Sequence, residues 1–419
     1  MIVLSGAAIV LPDRILTPGT LVIDGDRIAE IRAGGQNGTP SLPFHDHYIV
    51  PAFVDVHVHG VEGFDVMDGP GTIGRIAERL PRFGVAGFCP TTVACAPPLL
   101  EAVLSEVRTL RETRLARAAR VLGAHLESNF VNPEYAGAQP LACLRSPRVA
   151  LTALQHRDRG ATGSPANATI DRFDAVAVLH QIERAAPDVS VLTLAPELDG
   201  AIELVEWLTA RDVRVSMGHS AATYDEASAA IAAGVRRATH LFNRMPAFGH
   251  RSPGLVGAIL QSDEVAAEII CDSVHVHPAV IRTAIAAKTP ARMMAITDGT
   301  ALAGLPAGSR ARLGGQDIVS RADAAYRADG VLAGSTATMD RVFRTLVEEV
   351  GLSLVAAATM CATTPARELG LVGHGVLAAD AIADLVVLDA HFEVVQTYIA
   401  GQLVYSRGAT DVQKSGAGR

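Results

Sequence analysis

Lysine is almost missing from this chain. Only Lys288 and Lys414 occur among 36 basic residues, so arginine carries nearly all the positive charge. Chemistry that needs a buried lysine, such as Schiff-base formation, has almost no candidates. There is no run of basic residues, and 36 basic against 44 acidic side chains give a formal charge of −8. That balance speaks against nucleic acid as a partner, and any anionic substrate has to be held by a few local cations. No stretch of about 18 uncharged apolar residues is present, which rules out a helical membrane span. The apolar start, MIVLSGAAIVLPDRIL, lacks a basic lead and reads as a first strand rather than a signal peptide. The five cysteines (Cys89, Cys95, Cys143, Cys271 and Cys361) are scattered with no C-x-x-C. This fits a reducing cytoplasm and no disulfide framework. Low-complexity tracts and solenoid-length repeats are also missing.

What is present is a large apolar fraction, 49% of 419 residues, with 19% charged, enough to bury a substantial core. The first fifty residues are short β-rich runs, Ile2–Leu4, Gly19–Ile23 and Arg27–Ile31, with an Asp24-Gly25-Asp26 hairpin signal and a loop over Gly34–Pro40. The far end is similar: Ala383–Asp389, Val394–Ile399 and Gly401–Tyr405. Residues 1–50 and 376–419 are therefore expected to pair into one small β-sandwich domain. The polar tail Gly408–Arg419 is expected to be mobile.

Between these ends, apolar strands alternate with helical stretches, the pattern of βα units. Eight strands are expected over Phe53–His57, Val85–Thr91, Arg120–Glu127, Val189–Glu197, Val213–His219, Val235–His240, Ala267–Asp272 and Arg292–Asp298, with helices such as Tyr224–Ala233 between them. The fold class is thus α/β, a (β/α)8 TIM-like barrel over residues 51–375. The strand ends are His57-Val58-His59, His125-Leu126-Glu127, Gly218-His219-Ser220, Thr239-His240-Leu241 and Thr297-Asp298-Gly299. In a barrel these ends share one mouth, where imidazoles and carboxylates together make a ligand set for a divalent metal. A single histidine at a strand end is ordinarily a loop or core residue, and His-x-His alone is weak. His45-x-His47 and His275-x-His277 have the same spacing. The joint placement is what carries the reading.

These motifs resemble the amidohydrolase superfamily, and within it the N-acetylglucosamine-6-phosphate deacetylase family. The resemblance runs through Pro51–Gly60, Gly123–Glu127, Met217–Ser220, Thr239–Met245, Ile296–Asp298, Ala303–Gly308, Leu332–Ser335 and Ala383–Asp389. The run Thr-His-Leu-Phe-Asn-x-Met is its most particular mark. The resemblance implies a cytoplasmic homodimer that hydrolyses the N-acetyl amide of N-acetylglucosamine 6-phosphate. Glu127, His219 and His240 would hold the principal metal, Zn2+ or else Fe2+ or another divalent ion. His57 and His59 would join a second one. Asp298 would be general base and then general acid. Asn243 and the backbone of Arg244 would meet the sugar phosphate, Arg251 would reach the phosphate from the partner subunit, and His275 would contact the substrate near the scissile amide.

The sequence departs from the family's usual His-Leu-Glu-Gly-Pro at Ser128-Asn129. Gln139 stands where a sugar-contacting histidine is expected, and Asp272-Ser273 replaces Asp-Gly. Gln139 can hydrogen-bond a hydroxyl but cannot become cationic. A related substrate such as N-acetylgalactosamine 6-phosphate is therefore an alternative. Cyclic-amide hydrolases that bridge two metals with a carboxylated lysine are disfavoured, because the fourth strand ends Leu194-Ala195-Pro196-Glu197. A catalytically silent scaffold would be expected to have lost ligands or base, and none is missing.

Overall fold

The computed structural model describes residues 1–34, 41–158, 173–321 and 324–408. Most of the expected Gly34–Pro40 loop and Gly408–Arg419 tail, with Lys414, lies outside these residues.

The eight barrel strands are β1 (Phe53–Val58), β2 (Val85–Thr92), β3 (Ala124–Glu127), β4 (Val189–Leu194), β5 (Arg214–Met217), β6 (Arg237–Ala238), β7 (Ala266–Ile270) and β8 (Met293–Ile296). They pair in parallel in chain order. Nearly every residue in them is buried, as expected of parallel strands covered on both faces. The ring closes where β1 meets the end of β8: Val58 bridges Gly299, and the Asp298 N–H donates to the His57 carbonyl at 3.1 Å. The third expected strand is interrupted, with Arg120–Val121 separated from β3 at Gly123, φ 104°.

The helices obey simple amphipathic and capping rules. Pro97–Glu112 starts with proline and buries Leu100, Val103, Leu104 and Val107, one stripe at helical spacing. The expected helix Tyr224–Ala233 is present, opened by a reciprocal capping box between Thr223 and Glu226.

Both chain ends contribute to one eight-stranded sheet, as expected of the accessory β-domain. Leu385–Leu388 pairs antiparallel with Tyr48–Pro51, which pairs with Ile2–Val10 and so joins the N-terminal hairpin Ile15–Asp24/Arg27–Ala33. Leu4, Ile9, Leu21, Ile23, Ile49, Leu385 and Tyr398 form its core. Asp384 ties this sheet to the barrel through a bidentate ion pair with Arg120, 2.7 and 2.9 Å, and a 2.8 Å bond from His374 Nδ1.

One element was not foreseen. After β8 the chain makes a four-stranded antiparallel sheet, Arg310–Leu313, Gln316–Arg321, Ala324–Arg327 and Leu332–Ser335. Its last strand bridges Gly299 at Ser335, and the Ser335 N–H donates to the Asp298 carbonyl at 2.8 Å. The insert is thereby fixed to the strand end that carries the expected base.

Candidate active site at the barrel mouth

The side chains expected at the strand ends converge. Glu127 Oε1 lies 2.7 Å from His219 Nε2 and 2.9 Å from His240 Nε2, and those two nitrogens are 3.0 Å apart. Beside them, His57 Nε2, His59 Nε2 and Asp298 Oδ1 form a triangle with every side 3.3 Å. Glu127 Oε2 is 3.6 Å from His59 Nε2, so the two groups adjoin. All six residues are buried.

Backbone strain aims several of these groups. His219, His240 and Asp298 have φ of 49°, 29° and 49°, in or near the left-handed region that non-glycine residues rarely adopt. Each turns sharply where its strand ends, at a cost of about 1 kcal/mol or more, and such strain persists where the surrounding structure over-determines it. Gly60 follows the His-x-His because a Cβ there would collide with the Phe64 carbonyl.

The donor set fits a divalent metal. Three imidazoles are pinned through Nδ1: His57 donates to Glu268 at 3.0 Å, His59 to the Thr91 carbonyl at 3.1 Å and His219 to the Tyr135 carbonyl at 2.8 Å. Each is thereby fixed in the tautomer that leaves Nε2 a lone pair facing the centre. Tetrahedral ligands about 2.1 Å from an ion stand roughly 3.4 Å apart; the His57/His59/Asp298 triangle matches this at 3.3 Å, and the Glu127/His219/His240 triangle is tighter at 2.7–3.0 Å. Burial works against a charged His59, but the hydrogen bond to Asp298 and the charge of Glu127 outweigh it and raise its pKa to about 9. Burial likewise opposes ionised Glu127, yet His219 and His240 hold its carboxyl well below the usual range. A site that draws a proton this strongly suits a cation.

Beneath the histidines lies a charged layer that the sequence reading missed. Glu268 on β7 is fully buried and accepts from His57 and, at 3.3 Å, from Arg237 Nη2; Arg237 is only 1% exposed. Glu268 was discoverable as the one acid in the apolar run Val265–Ile270. Arg237 had no comparable signal. His125 belongs to this layer and not to the mouth: its nitrogens meet the Val56 carbonyl and Thr193 Oγ1, and burial pushes its pKa down to about 3. Asp55 is also buried there, where desolvation raises its pKa to about 7, and it accepts a 2.6 Å bond from Thr297 Oγ1 next to Asp298.

A cavity of about 380 Å3 opens over the cluster, lined by Glu127, Gln139, Asn243, Arg244, His275 and Asp298 among others. His275 Nδ1 is held at 2.6 Å by Asp272, whose other oxygen caps the Val274 and His275 amides. Ser273, at φ 63°, occupies a conformation that favours glycine and anchors itself on Glu349. Gln139 is buried with both ends of its amide engaged: Nε2 donates to Glu127 Oε2, and Oε1 accepts from the Ala94 N–H. It braces a metal-ligand candidate in this structure. Asn129 bonds the Cys95 and Cys143 carbonyls, and Ser128 bonds the Thr193 carbonyl, so the unusual loop after Glu127 is pinned by polar contacts. Arg251 is exposed and does not line its own chain's cavity. His45, His47 and His277 lie outside the cavity lining.

A parallel barrel whose mouth gathers imidazoles and carboxylates in metal-ligand geometry defines a class, the metal-dependent hydrolases. The chain belongs to the amidohydrolase family, whose pattern matches residues 48–404. It is 35% identical over 357 residues to N-acetylgalactosamine-6-phosphate deacetylase of Escherichia coli O157:H7, covering 85% of this chain and 87% of the relative. It is 34% identical over 406 residues to N-acetylglucosamine-6-phosphate deacetylase of Danio rerio, covering 94% and 91%. The structure superposes with a TM-score of 0.84, at 31% identity, on the Mycobacterium smegmatis N-acetyl-D-glucosamine-6-phosphate deacetylase D267A mutant in complex with N-acetyl-D-glucosamine-6-phosphate, covering 97% of this chain and 99% of that one.

Proposed function

We infer that this protein is a metal-dependent deacetylase that hydrolyses the N-acetyl amide of N-acetylglucosamine 6-phosphate to glucosamine 6-phosphate and acetate. The observation that carries this reading is the convergence of Glu127, His219 and His240 beside Asp298 on one barrel mouth. Glu127, His219 and His240 would hold the principal ion, most simply Zn2+, and His57 and His59 a second. When bound, such an ion acidifies water and polarises an amide carbonyl.

The chain's own groups supply the rest. Asp298 stays anionic: burial opposes its charge, but His57 and His59 overcome it. It is thus ready to take a proton from the attacking water at Oδ1 and to return it to the departing amine. His275, steadied by Asp272, stands in the cavity wall to donate toward the carbonyl oxygen. Asn243 and Arg244 face the sugar phosphate. Arg251 reaches the phosphate of the neighbouring protomer in a homodimer. Buried cysteines with no C-x-x-C spacing suit a cytoplasmic enzyme. No helix among the described residues is long and apolar enough to cross a membrane.

The galacto epimer is a second reading, favoured by the 35% identity to the deacetylase of that sugar. Acetate release from N-acetylglucosamine 6-phosphate, its galacto epimer and unphosphorylated N-acetylglucosamine tests both. The expected result is turnover of the gluco phosphate, with kcat reduced about 10²–10⁴-fold in Asp298→Asn. Selective cleavage of the galacto phosphate moves the substrate, and no cleavage of any of the three by metal-loaded protein refutes the enzyme.

A further inference from the structure

A second cavity, of about 560 Å3, lies at the other end of the barrel. Residues 114–119 line it just before the strand Arg120–Val121, at the face opposite the mouth, and Ile399, Ala400 and Gln402 line it from a hairpin of the accessory sheet. Arg111, Arg114, Arg117, Arg120 and His374 are in its wall, and among the described residues no aspartate or glutamate is. In a chain of formal charge −8 this is a local reversal of sign. Two of the arginines are neutralised by acids set behind the wall. Arg111 Nη1 donates to Asp188 at 2.6 Å, and Arg120 is held by Asp384 at 2.7 and 2.9 Å. Arg114 and Arg117 have no hydrogen-bond or ion-pair partner among the described residues. A guanidinium cannot shed its proton at ordinary pH, so the cavity carries two uncompensated positive charges. Fixed positive charge focused in a walled cavity draws an anion, and two guanidinia match the double charge and paired oxygens of a phosphomonoester. Leu115, Leu122, Leu371 and Val404 make the rest of the wall apolar. A bare inorganic ion would leave that surface wet, whereas an organic group would cover it. The volume lies inside the range of about 300–1,000 Å3 typical of small-molecule sites.

We propose that this cavity binds a phosphomonoester of a compact apolar organic group, with Arg114 and Arg117 on the phosphate and the leucine-lined wall on the organic part. The site is separate from the barrel mouth and does not depend on the chemistry there. Barrel and accessory sheet both line it, so its occupant touches both domains and stabilises the folded chain.

The test is isothermal titration of the full-length, metal-loaded protein with phenyl phosphate, phenol and inorganic phosphate, alongside thermal midpoints. The variants are Arg114→Gln/Arg117→Gln, Gln402→Glu, which puts an acid in the cavity wall, and Arg14→Gln, an exposed arginine outside the cavity lining. Phenyl phosphate should bind the wild type more tightly than phenol or inorganic phosphate does. Its affinity should fall about tenfold for each guanidinium lost, so about 100-fold in the double arginine variant. Gln402→Glu should weaken it in the same direction, and Arg14→Gln should leave it unchanged. The substituted side chains are exposed, so each variant should keep the wild-type midpoint without ligand. Phenyl phosphate binding that is missing from the wild type, or equal in wild type and the double arginine variant, overturns the site. An equal loss in Arg14→Gln reduces the effect to general charge attraction and also overturns it. Inorganic phosphate bound as tightly as phenyl phosphate overturns the organic ligand class.

Discussion

Replacing Glu268 by glutamine isolates the buried layer under the candidate metal ligands. The carboxylate is fully buried, 3.0 Å from His57 Nδ1 and 3.3 Å from Arg237 Nη2. Burial opposes its ionisation, but His125, His57 and Arg237 hold its pKa below the ordinary value, so it is charged in the folded protein. Glutamine removes that charge and leaves Arg237 in the barrel with its Nε and Nη1 already unpartnered. Removing one partner of a buried ion pair costs about 3–5 kcal/mol, because the other charge stays uncompensated. In Glu268→Gln/Arg237→Met both charges are gone, and most of the loss should be recovered, a coupling of at least about 2 kcal/mol in a double-mutant cycle. The single tryptophan, Trp207, lies on the barrel helix Ala201–Thr209 and reports barrel unfolding in urea. A midpoint shift worth less than about 1 kcal/mol in the single variant, or strictly additive losses, would refute the reasoning.

Chelation should abolish acetate release and lower the thermal midpoint, and added Zn2+ should restore both, because a ligand bound only to the folded state stabilises it; a midpoint indifferent to chelator would sink the metal site. Asp384 is held below the ordinary carboxylate range: burial opposes its charge, but bonds from His374 and Arg120 outweigh it. Its depressed folded pKa means its stabilisation is complete above the unfolded value near 3.8 and is lost as pH falls through the folded one. Asp384→Asn should therefore cost about 3 kcal/mol at pH 7 and progressively less toward pH 2, read from unfolding midpoints across pH. Lys288 donates to the Ser262 carbonyl, and burial, with Arg292 nearby, lowers its pKa from 10.5 to about 8. The folded state sheds this proton first, so wild-type stability should rise relative to Lys288→Met between about pH 8 and 10.5. A flat difference across that window would contradict the assignment.

The cluster at the barrel mouth was more legible in the sequence than its support. His57, His59, Glu127, His219, His240 and Asp298 each stand at or just beyond the end of an apolar run, and topology sends all such ends to one mouth. The helix Tyr224–Ala233 and the hairpin at Asp24–Arg27 were legible for the same local reason: caps and turn residues act within a few positions. The insert at residues 310–335 was not. Its strands are short and mostly half-exposed, and they follow a barrel that already accounted for the surrounding chain.

By itself, the sequence determined the strand-and-helix alternation, the β-rich ends and the identity of the groups at the mouth, because periodicity and turn chemistry are local properties. Tertiary structure alone decided how those groups are held. Glu268 meets His57 across 211 positions, Arg237 is neutralised from the neighbouring strand, and Gln139 turns toward Glu127. Arg327 meets the Gly137 carbonyl across 190 positions, from an insert pinned to the end of β8. No spacing rule encodes such pairs, since closing the ring fixes which distant side chains share its interior.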